Sequence, residues 1–167
     1  MKKVLIVLAV LCMVAFPVMA ASKTVGVASK NTVGVGLNLG NNTGVGLRFG
    51  MGDFDVLANV GFDLISCEAL AGDASVSYRV FTIDGGRKAQ FPITVGVGAS
   101  AAIHFDPVAL DLDILVPVGI EYDFSQLNKD AHITMYFRVA PGMQLLEGTE
   151  FKPNFAIAGY LGALWNF

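Results

Sequence analysis

The sequence predicts an all-β protein whose antiparallel strands form an up-and-down transmembrane β-barrel of about eight strands. Successive side chains of a strand point to opposite faces, so an apolar residue at every second position indicates a strand with one apolar face. The terminal strand has this pattern from Phe155 to Phe167, with Gly159 as its one gap. In addition, 54% of the chain is apolar, yet no stretch after residue 21 is long enough for a membrane helix. A closed sheet with one apolar face is the other structure that places so much apolar surface in a membrane.

The first three segments alternate most regularly. The first two nearly repeat each other, as TVGVGLNLG and NTGVGLRFG, with Val, Leu or Phe on one face and Gly, Asn or Arg on the other. Asn41-Asn42 between them predicts a tight turn, because Asn tolerates positive φ. Gly52-Asp53 predicts the next turn, and the third segment then alternates from Phe54 to Leu64.

The later segments complete the set of eight. The fourth alternates weakly and places Phe81 on its polar face, whereas the sixth has nine apolar positions in step. The length of the sixth predicts that its hairpin with the fifth projects beyond the membrane. Pro117 and Pro141 lie inside strands, where the missing N–H predicts local bulges. The eight predicted strands are Asn31–Gly40, Thr43–Met51, Phe54–Leu64, Ala74–Ile83, Phe91–Phe105, Val108–Phe124, His132–Leu145 and the terminal strand, which follows a loop at 146–152.

Residues 1–21 predict a secretory signal peptide. Lys2 and Lys3 precede an apolar run, and small residues surround an expected cleavage point near Ala20 or Ala21. An uncleaved membrane anchor is the alternative, since the run approaches the minimum spanning length. The barrel domain is then residues 22–167, in which Lys23–Ala28 forms either a lead-in or a short ninth strand, and the lead-in is preferred.

Charge and cysteine content exclude several classes of function. After the signal, nine Lys and Arg face fourteen Asp and Glu without any basic run, which excludes the electrostatic footprint of nucleic-acid binding. Cys67 stands alone, so it makes neither an internal disulfide nor a metal site. Asp111 and Asp113 offer too few oxygen ligands for calcium. The sequence therefore predicts no cofactor and no metal.

The distribution of charge indicates which face of the sheet meets lipid. Every Lys after the signal lies in the lead-in or a predicted loop, whereas a soluble barrel places Lys on the wet face of its strands. Aromatic residues cluster near the turns, as interfacial girdles do. The apolar face is therefore expected outside. The charged positions of the opposite, lumen face are Arg48, Arg79, Arg138, Asp55, Asp63, Asp111, Asp113, Glu121 and Asp123.

Charges inside a barrel need partners. Buried charges persist only when they are paired or hydrated. We therefore expect Arg–carboxylate pairs across the lumen, with Arg138 and Glu121 first because their strands are neighbours. A soluble, lipocalin-like periplasmic binding protein with the two faces reversed is the alternative.

The terminal strand also carries a family resemblance. Its outer-face residues Leu161, Ala163, Trp165 and Phe167 resemble the signal that the barrel-assembly machinery reads. The segment VPVGIEY followed by YFRVAPG resembles an uncharacterised subgroup of the small eight-stranded bacterial outer-membrane proteins. This resemblance implies an outer-membrane location, contact with outer-membrane lipid and assembly by that machinery.

The functional expectation is a non-enzymatic outer-membrane barrel, preferably monomeric, with a packed or narrowly hydrated polar lumen. Its role would be envelope structure or interaction with a small molecule. A minor small-solute pore is the first alternative. A lipid-modifying enzyme is a further one, because His104 lies near Asp106, but His132 falls at the periplasmic rim, away from outer-leaflet lipid.

Overall fold

The computed structural model describes residues 32–63, 69–86, 89–148 and 150–167. The signal-peptide prediction for residues 1–21, the predicted lead-in Lys23–Ala28 and Cys67 lie outside these ranges. Within them the chain forms nine β-strands and one 3-10 helix, Phe124–Gln126. No helix of the described part is long and apolar enough to cross a membrane. The strands are β1 (Thr32–Gly40), β2 (Asn42–Met51), β3 (Phe54–Asp63), β4 (Ala69–Asp84), β5 (Gln90–Phe105), β6 (Val108–Leu115), β7 (Val118–Asp123), β8 (Ile133–Glu147) and β9 (Glu150–Asn166).

The described strands close into a ring of eight. All the pairings are antiparallel, and the last strand, β9, pairs with β1 as well as with β8. Strands β6 and β7 follow each other along one line between β5 and β8, because Leu115 pairs with Gly142 and Val118 with Val139 in unbroken register. The predicted all-β antiparallel fold is confirmed, and the predicted sixth strand corresponds to this line.

The two prolines do not produce the predicted bulges, and that prediction is wrong. Pro117 lies in the short break between β6 and β7, where strand pairing is interrupted, but its carbonyl still accepts the N–H of Gly96 at 2.8 Å. Pro141 stays in continuous register with β9, and its carbonyl accepts the N–H of Val116 at 2.8 Å. A proline lacks only its donor, so each strand keeps its direction while losing one hydrogen bond.

The fourth strand differs most from its prediction. It begins at Ala69, five residues before the predicted Ala74, and it contains a register shift between Arg79 and Phe81. A bulge adds one residue to one strand and reverses the faces of the positions beyond it. Phe81 therefore lies on the exposed apolar face rather than on the polar face where alternation places it.

The ring has an apolar outside and a more polar inside. Exposed apolar side chains occur on all eight positions around the ring, for example Leu37 on β1, Phe62 on β3 and Phe155 on β9. The buried side chains include nine polar or charged residues among those described: Asn38, Asn42, Asp55, Asn59, Ser77, Thr94, Glu121, Thr134 and Arg138. The predicted alternation thus separates an outer apolar face from an inner polar face.

The β8–β9 hairpin extends beyond the β1–β2 turn. Pairing of β1 with β9 ends at Gly40 opposite Tyr160, and Asn41 adds hydrogen bonds to Gly159. Among the described residues, the part of β9 from Glu150 to Ala158 pairs only with β8. At about 3.3 Å per residue, this unpaired edge is roughly 30 Å long. The predicted outer loop at 146–152 is mostly strand.

Three features close this edge to further strands. Lys152 and Pro153 together oppose a single position of β8, so the edge bulges where proline also removes a donor. The N–H of Phe155 donates to the side-chain oxygen of Asn154 at 2.9 Å. The N–H of Gly159 donates to Asn41 Oδ1 at 2.9 Å. Edge strands with missing or occupied donors make poor templates for another chain.

We predict that restoring these donors causes self-association. The double variant Pro153→Val, Asn154→Val returns one N–H and frees another, so the fraction of dimer in detergent should rise at least several-fold over wild type. Crosslinking and light scattering measure that fraction. Pro141→Val is the matched control. Pro141 is paired with strands on both sides, so this substitution should leave the fraction of dimer unchanged. An equal rise in the control would contradict the role of the edge.

Candidate functional site

A cluster of four charged side chains crosses the interior of the ring. Arg48 Nη2 lies 2.7 Å from Glu121 Oε2 and 3.1 Å from Asp55 Oδ2. Arg138 Nη2 lies 2.8 Å from Glu121 Oε1 and 3.0 Å from Asp55 Oδ2. We call these four residues the charge quartet. Each arginine contacts both carboxylates, and the formal charges of the quartet cancel.

The quartet joins opposite walls of the ring. Its members come from β2, β3, β7 and β8, and in the ring order β2 lies across from β7 and β3 across from β8. Arg138, with 2% of its side chain exposed, also donates through Nη1 to Ser77 at 3.3 Å. Charges removed from water are tolerated only when they are paired and hydrogen-bonded. The four side chains therefore hold one another in the interior and fill it at this level.

An amide network, made of Asn38, Asn42 and Asn59 with Tyr136 and Asp73, lies beside the quartet. The Tyr136 hydroxyl donates to Asn38 Oδ1 at 2.9 Å, and the Arg138 guanidinium carbon lies 5.4 Å from the centre of the Tyr136 ring. Asn42 and Asn59 each donate a side-chain N–H to one oxygen of Asp73, at 2.7 and 2.8 Å. Most of these buried groups thus find partners on other strands, whereas the side-chain oxygen of Asn59 has no protein hydrogen-bond partner.

Apolar side chains complete the filling of the interior. The buried cluster consists of Leu57, Leu115, Tyr136, Ala140, Ala158, Tyr160 and Leu164. The ring of Tyr136 lies directly against Gly162, which pairs with it across β8 and β9. A cavity of about 10 Å³ remains between Arg138, Ser75, Leu57 and Tyr160, which is room for about one water molecule. No wide passage is thus visible in this part of the interior.

A second polar group lies near the β5–β6 and β8–β9 turns. His104 Nε2 is 2.9 Å from Asp111 Oδ2, and the other oxygen of Asp111 accepts the N–H of Gly148 at 3.0 Å. The Ser100 hydroxyl donates to Asp113 Oδ2 at 2.9 Å. Asp111 therefore fastens the two hairpins together. His104 and Ser100 contact different carboxylates, so they do not form a nucleophile–base pair.

The charges predicted for the lumen separate into several groups. The predicted pair of Arg138 and Glu121 is present, and Arg48 and Asp55 complete the quartet around it. Arg79 instead lies 3.7 Å from Asp53, in the β2–β3 turn. Asp123 accepts the N–H of Ser125 at the start of the 3-10 helix. Asp111 and Asp113 belong to the hairpin group, and the side chain of Asp63 lies outside the described part of the structure.

The terminal residues close the ring. Leu161, Ala163 and Trp165 lie on the exposed face of β9 and pair with Leu39, Leu37 and Val35 of β1. The N–H of Phe167 donates to the carbonyl of Val33 at 2.8 Å. The residues predicted as an assembly signal thus form the seam between the first and last described strands.

Sequence reasoning missed the amide network. Asp73 falls in a predicted loop, because Gly72 and the alanines beside it hide the alternation of β4. The amides Asn38, Asn42 and Asn59 carry no charge, so a search for ion pairs passes over them. Their position on the polar face, opposite Leu or Val neighbours, is the signal that identifies them.

No protein-family model, curated protein or solved structure matches this chain. Within the described ranges, no group of three or more His, Cys, Asp or Glu side chains is placed to hold a metal ion. The chemistry of the candidate site therefore rests on the geometry of the interior alone.

We predict that the quartet behaves as one coupled unit. Glu121→Met or Arg138→Met alone leaves a buried charge unpaired and should lower the free energy of unfolding by about 3–5 kcal/mol. The double variant keeps the neutral pair of Arg48 and Asp55, so its loss should be smaller than the sum of the single losses. Denaturant unfolding of the refolded protein measures all three. Asp111→Asn is the control outside the quartet, and additive losses would show that Arg138 and Glu121 do not interact.

We predict a matched glycine effect on β9. A Cβ at Gly162 meets the ring of Tyr136, whereas one at Gly159 meets nothing within 4 Å. Gly162→Ala should therefore destabilise the fold by about 1–3 kcal/mol through overpacking. Gly159→Ala should stay within about 0.5 kcal/mol of wild type. The same unfolding measurement compares them, and equal losses would mean that Tyr136 does not pack there.

Proposed function

We propose that this chain is a non-enzymatic β-barrel of the bacterial outer membrane, with a packed polar lumen and a structural or small-molecule interaction role in the envelope. The observation that carries the proposal is the closed ring whose outside is apolar and whose inside holds the charge quartet. A sheet without free edges around its closed part satisfies its own backbone groups, as hydrocarbon requires.

The outer face supports contact with lipid. Exposed side chains such as Leu37, Val60 and Phe137 are at least half exposed, and they continue around the ring. Soluble monomers rarely expose contiguous apolar patches larger than a few hundred Å². Aromatic side chains gather near the end of the ring that carries the β2–β3 turn, where Phe91 stacks on Tyr122 with ring centroids 5.1 Å apart and Phe124 meets Tyr122 edge to face at 5.0 Å. Such groups are typical of a membrane interface.

The interior supports a structural role in preference to binding or catalysis. A lipocalin-like binding protein needs an apolar cavity, whereas this interior is occupied by the quartet and by the apolar cluster beside it. Lipid-modifying activity needs a nucleophile beside a base, and the hydroxyl of Ser100 and the ring of His104 contact separate carboxylates. The proposal therefore assigns no catalytic residue.

A narrow pore is the second candidate, and one observation favours it. The Nε atoms of Arg48 and Arg138 and the hydroxyl of Thr94 are buried without a protein hydrogen-bond partner. Water satisfies such groups in many proteins, so the interior is suited to some hydration. Planar-bilayer recording separates the candidates, because a packed lumen gives no conductance steps and a pore gives steps that increase with salt concentration.

The membrane proposal has a direct test. A closed barrel stays compact in detergent until it is boiled, so the outer-membrane fraction should show a heat-dependent shift in gel migration. The single tryptophan, Trp165, is 48% exposed on the outer face and should be quenched by brominated lipid in vesicles. A protein that is released by carbonate washing and is unquenched would contradict the proposal.

We predict opposite responses to arginine on the two faces of β5. Val97 lies on the outer face at mid-strand, so Val97→Arg should cost about 2–4 kcal/mol in a bilayer. Ala102 lies on the inner face opposite Asp111, so Ala102→Arg should cost less than half as much. Unfolding in phospholipid vesicles measures both variants. A larger loss for Ala102→Arg would mean that the faces are reversed.

A further inference from the structure

The two sides of the ring differ greatly in height. Strand β2, which lies between described residues of the β1–β2 and β2–β3 turns, has ten residues, whereas the described parts of β5, β8 and β9 have 15 to 17. Strands tilted by about 40° rise roughly 2.5 Å per residue along the barrel axis, so β2 spans about 25 Å and β9 about 42 Å. A bilayer has a hydrocarbon core of about 30 Å, which is more than the first height and less than the second.

The tall side stays apolar on its outside up to the turns. Phe105 pairs with Val108 across the β5–β6 turn, and they are 56% and 81% exposed. Phe151, near the β8–β9 turn, is 58% exposed and pairs with Leu146, which pairs in turn with Leu112. We call these five residues the tip patch. Its members come from β5, β6, β8 and β9: Leu112, Leu146 and Phe151 form one row of paired positions, and Phe105 and Val108 form a second row at the β5–β6 turn.

The inner face of the same hairpins is different. It carries His104, Asp111, Gln144 and Asn154, and the ion pair of Lys152 with Glu147 lies at the end of the β8–β9 hairpin at 2.7 Å. Polar groups are therefore available in this part of the chain but are kept off the outer face. The same strands separate an apolar outer face from a polar inner face nearer the charge quartet, so the hairpins continue that division.

We propose that the tip patch is a membrane-contact surface, and that the ring sits tilted so that the β5–β6 and β8–β9 hairpins lean into the lipid. This inference rests on the proposed outer-membrane location. Acyl chains are the occupant because the patch continues the outer apolar face along the same four strands without an intervening polar row. In the ring order the tall line of β6 and β7 lies opposite the short β2, so one rigid tilt lowers the tall side toward the bilayer.

Four single-tryptophan variants test the tilt. In a Trp165→Phe background, tryptophan is placed at Phe151 in the tip patch and at Asn154 on the inner face of the same strand. Val97→Trp serves as the mid-membrane reference, and Val108→Trp is a second tip variant in case Phe151→Trp does not fold. Each protein is reconstituted in phosphatidylcholine vesicles with brominated acyl chains, and heat-dependent migration on gels verifies that it is folded.

We expect Phe151→Trp and Val108→Trp to be quenched at least half as strongly as Val97→Trp, and Asn154→Trp to be quenched several-fold less. Equal, weak quenching at the tip and at Asn154, with strong quenching at Val97, would overturn the inference and leave the membrane proposal standing. In that case the tip patch stands in water or meets a protein partner. Absence of quenching at Val97 as well would overturn both.

Discussion

The antiparallel pairing of β1 with β9 is the contact on which the rest of the structure depends. It runs from Gly34 opposite Asn166 to Gly40 opposite Tyr160 and turns an open sheet into a ring. Closure removes the free edge of β1 and that of β9 from Tyr160 onward, and it encloses one face of the strands. The charge quartet draws on opposite walls, so its four side chains meet only when this seam has formed. Burial of the charges and outward display of the apolar side chains are two results of the same closure.

The division of the two faces is local information, which explains why alternation predicted most strands. Each residue's face follows from its neighbours at period two, as in β1, β5 and β9. The start of β4 was missed because Ala69, Ala71 and Gly72 are too small to mark a face. The bulge at Val80 was missed because it reverses the faces within a single strand and leaves no trace in composition. Both errors occur where side-chain size or backbone geometry breaks the period.

Contacts across the ring were less predictable, because they depend on register. Arg138 and Glu121 lie on adjacent strands, so that pair followed from the order of strands. Whether Arg48 and Asp55 reach this pair depends on which strands face each other across the closed ring. That arrangement is set by the number of strands and by their stagger. Arg79 illustrates the limit: it has the same alternation as Arg48, yet it lies beside the bulge of β4 and contacts Asp53 in a turn.

The missing and occupied donors of β9 from Glu150 to Gly159 have a consequence for how copies of this chain can meet one another. Outer strands with regular free N–H groups act as growth points, where each added chain offers a fresh edge to the next. Here proline, a bulge and two asparagine side chains remove or occupy N–H donors of β9, so its edge does not offer a regular row of free donors to another chain. On this side, neighbouring copies can then lie close together as separate units without joining their sheets.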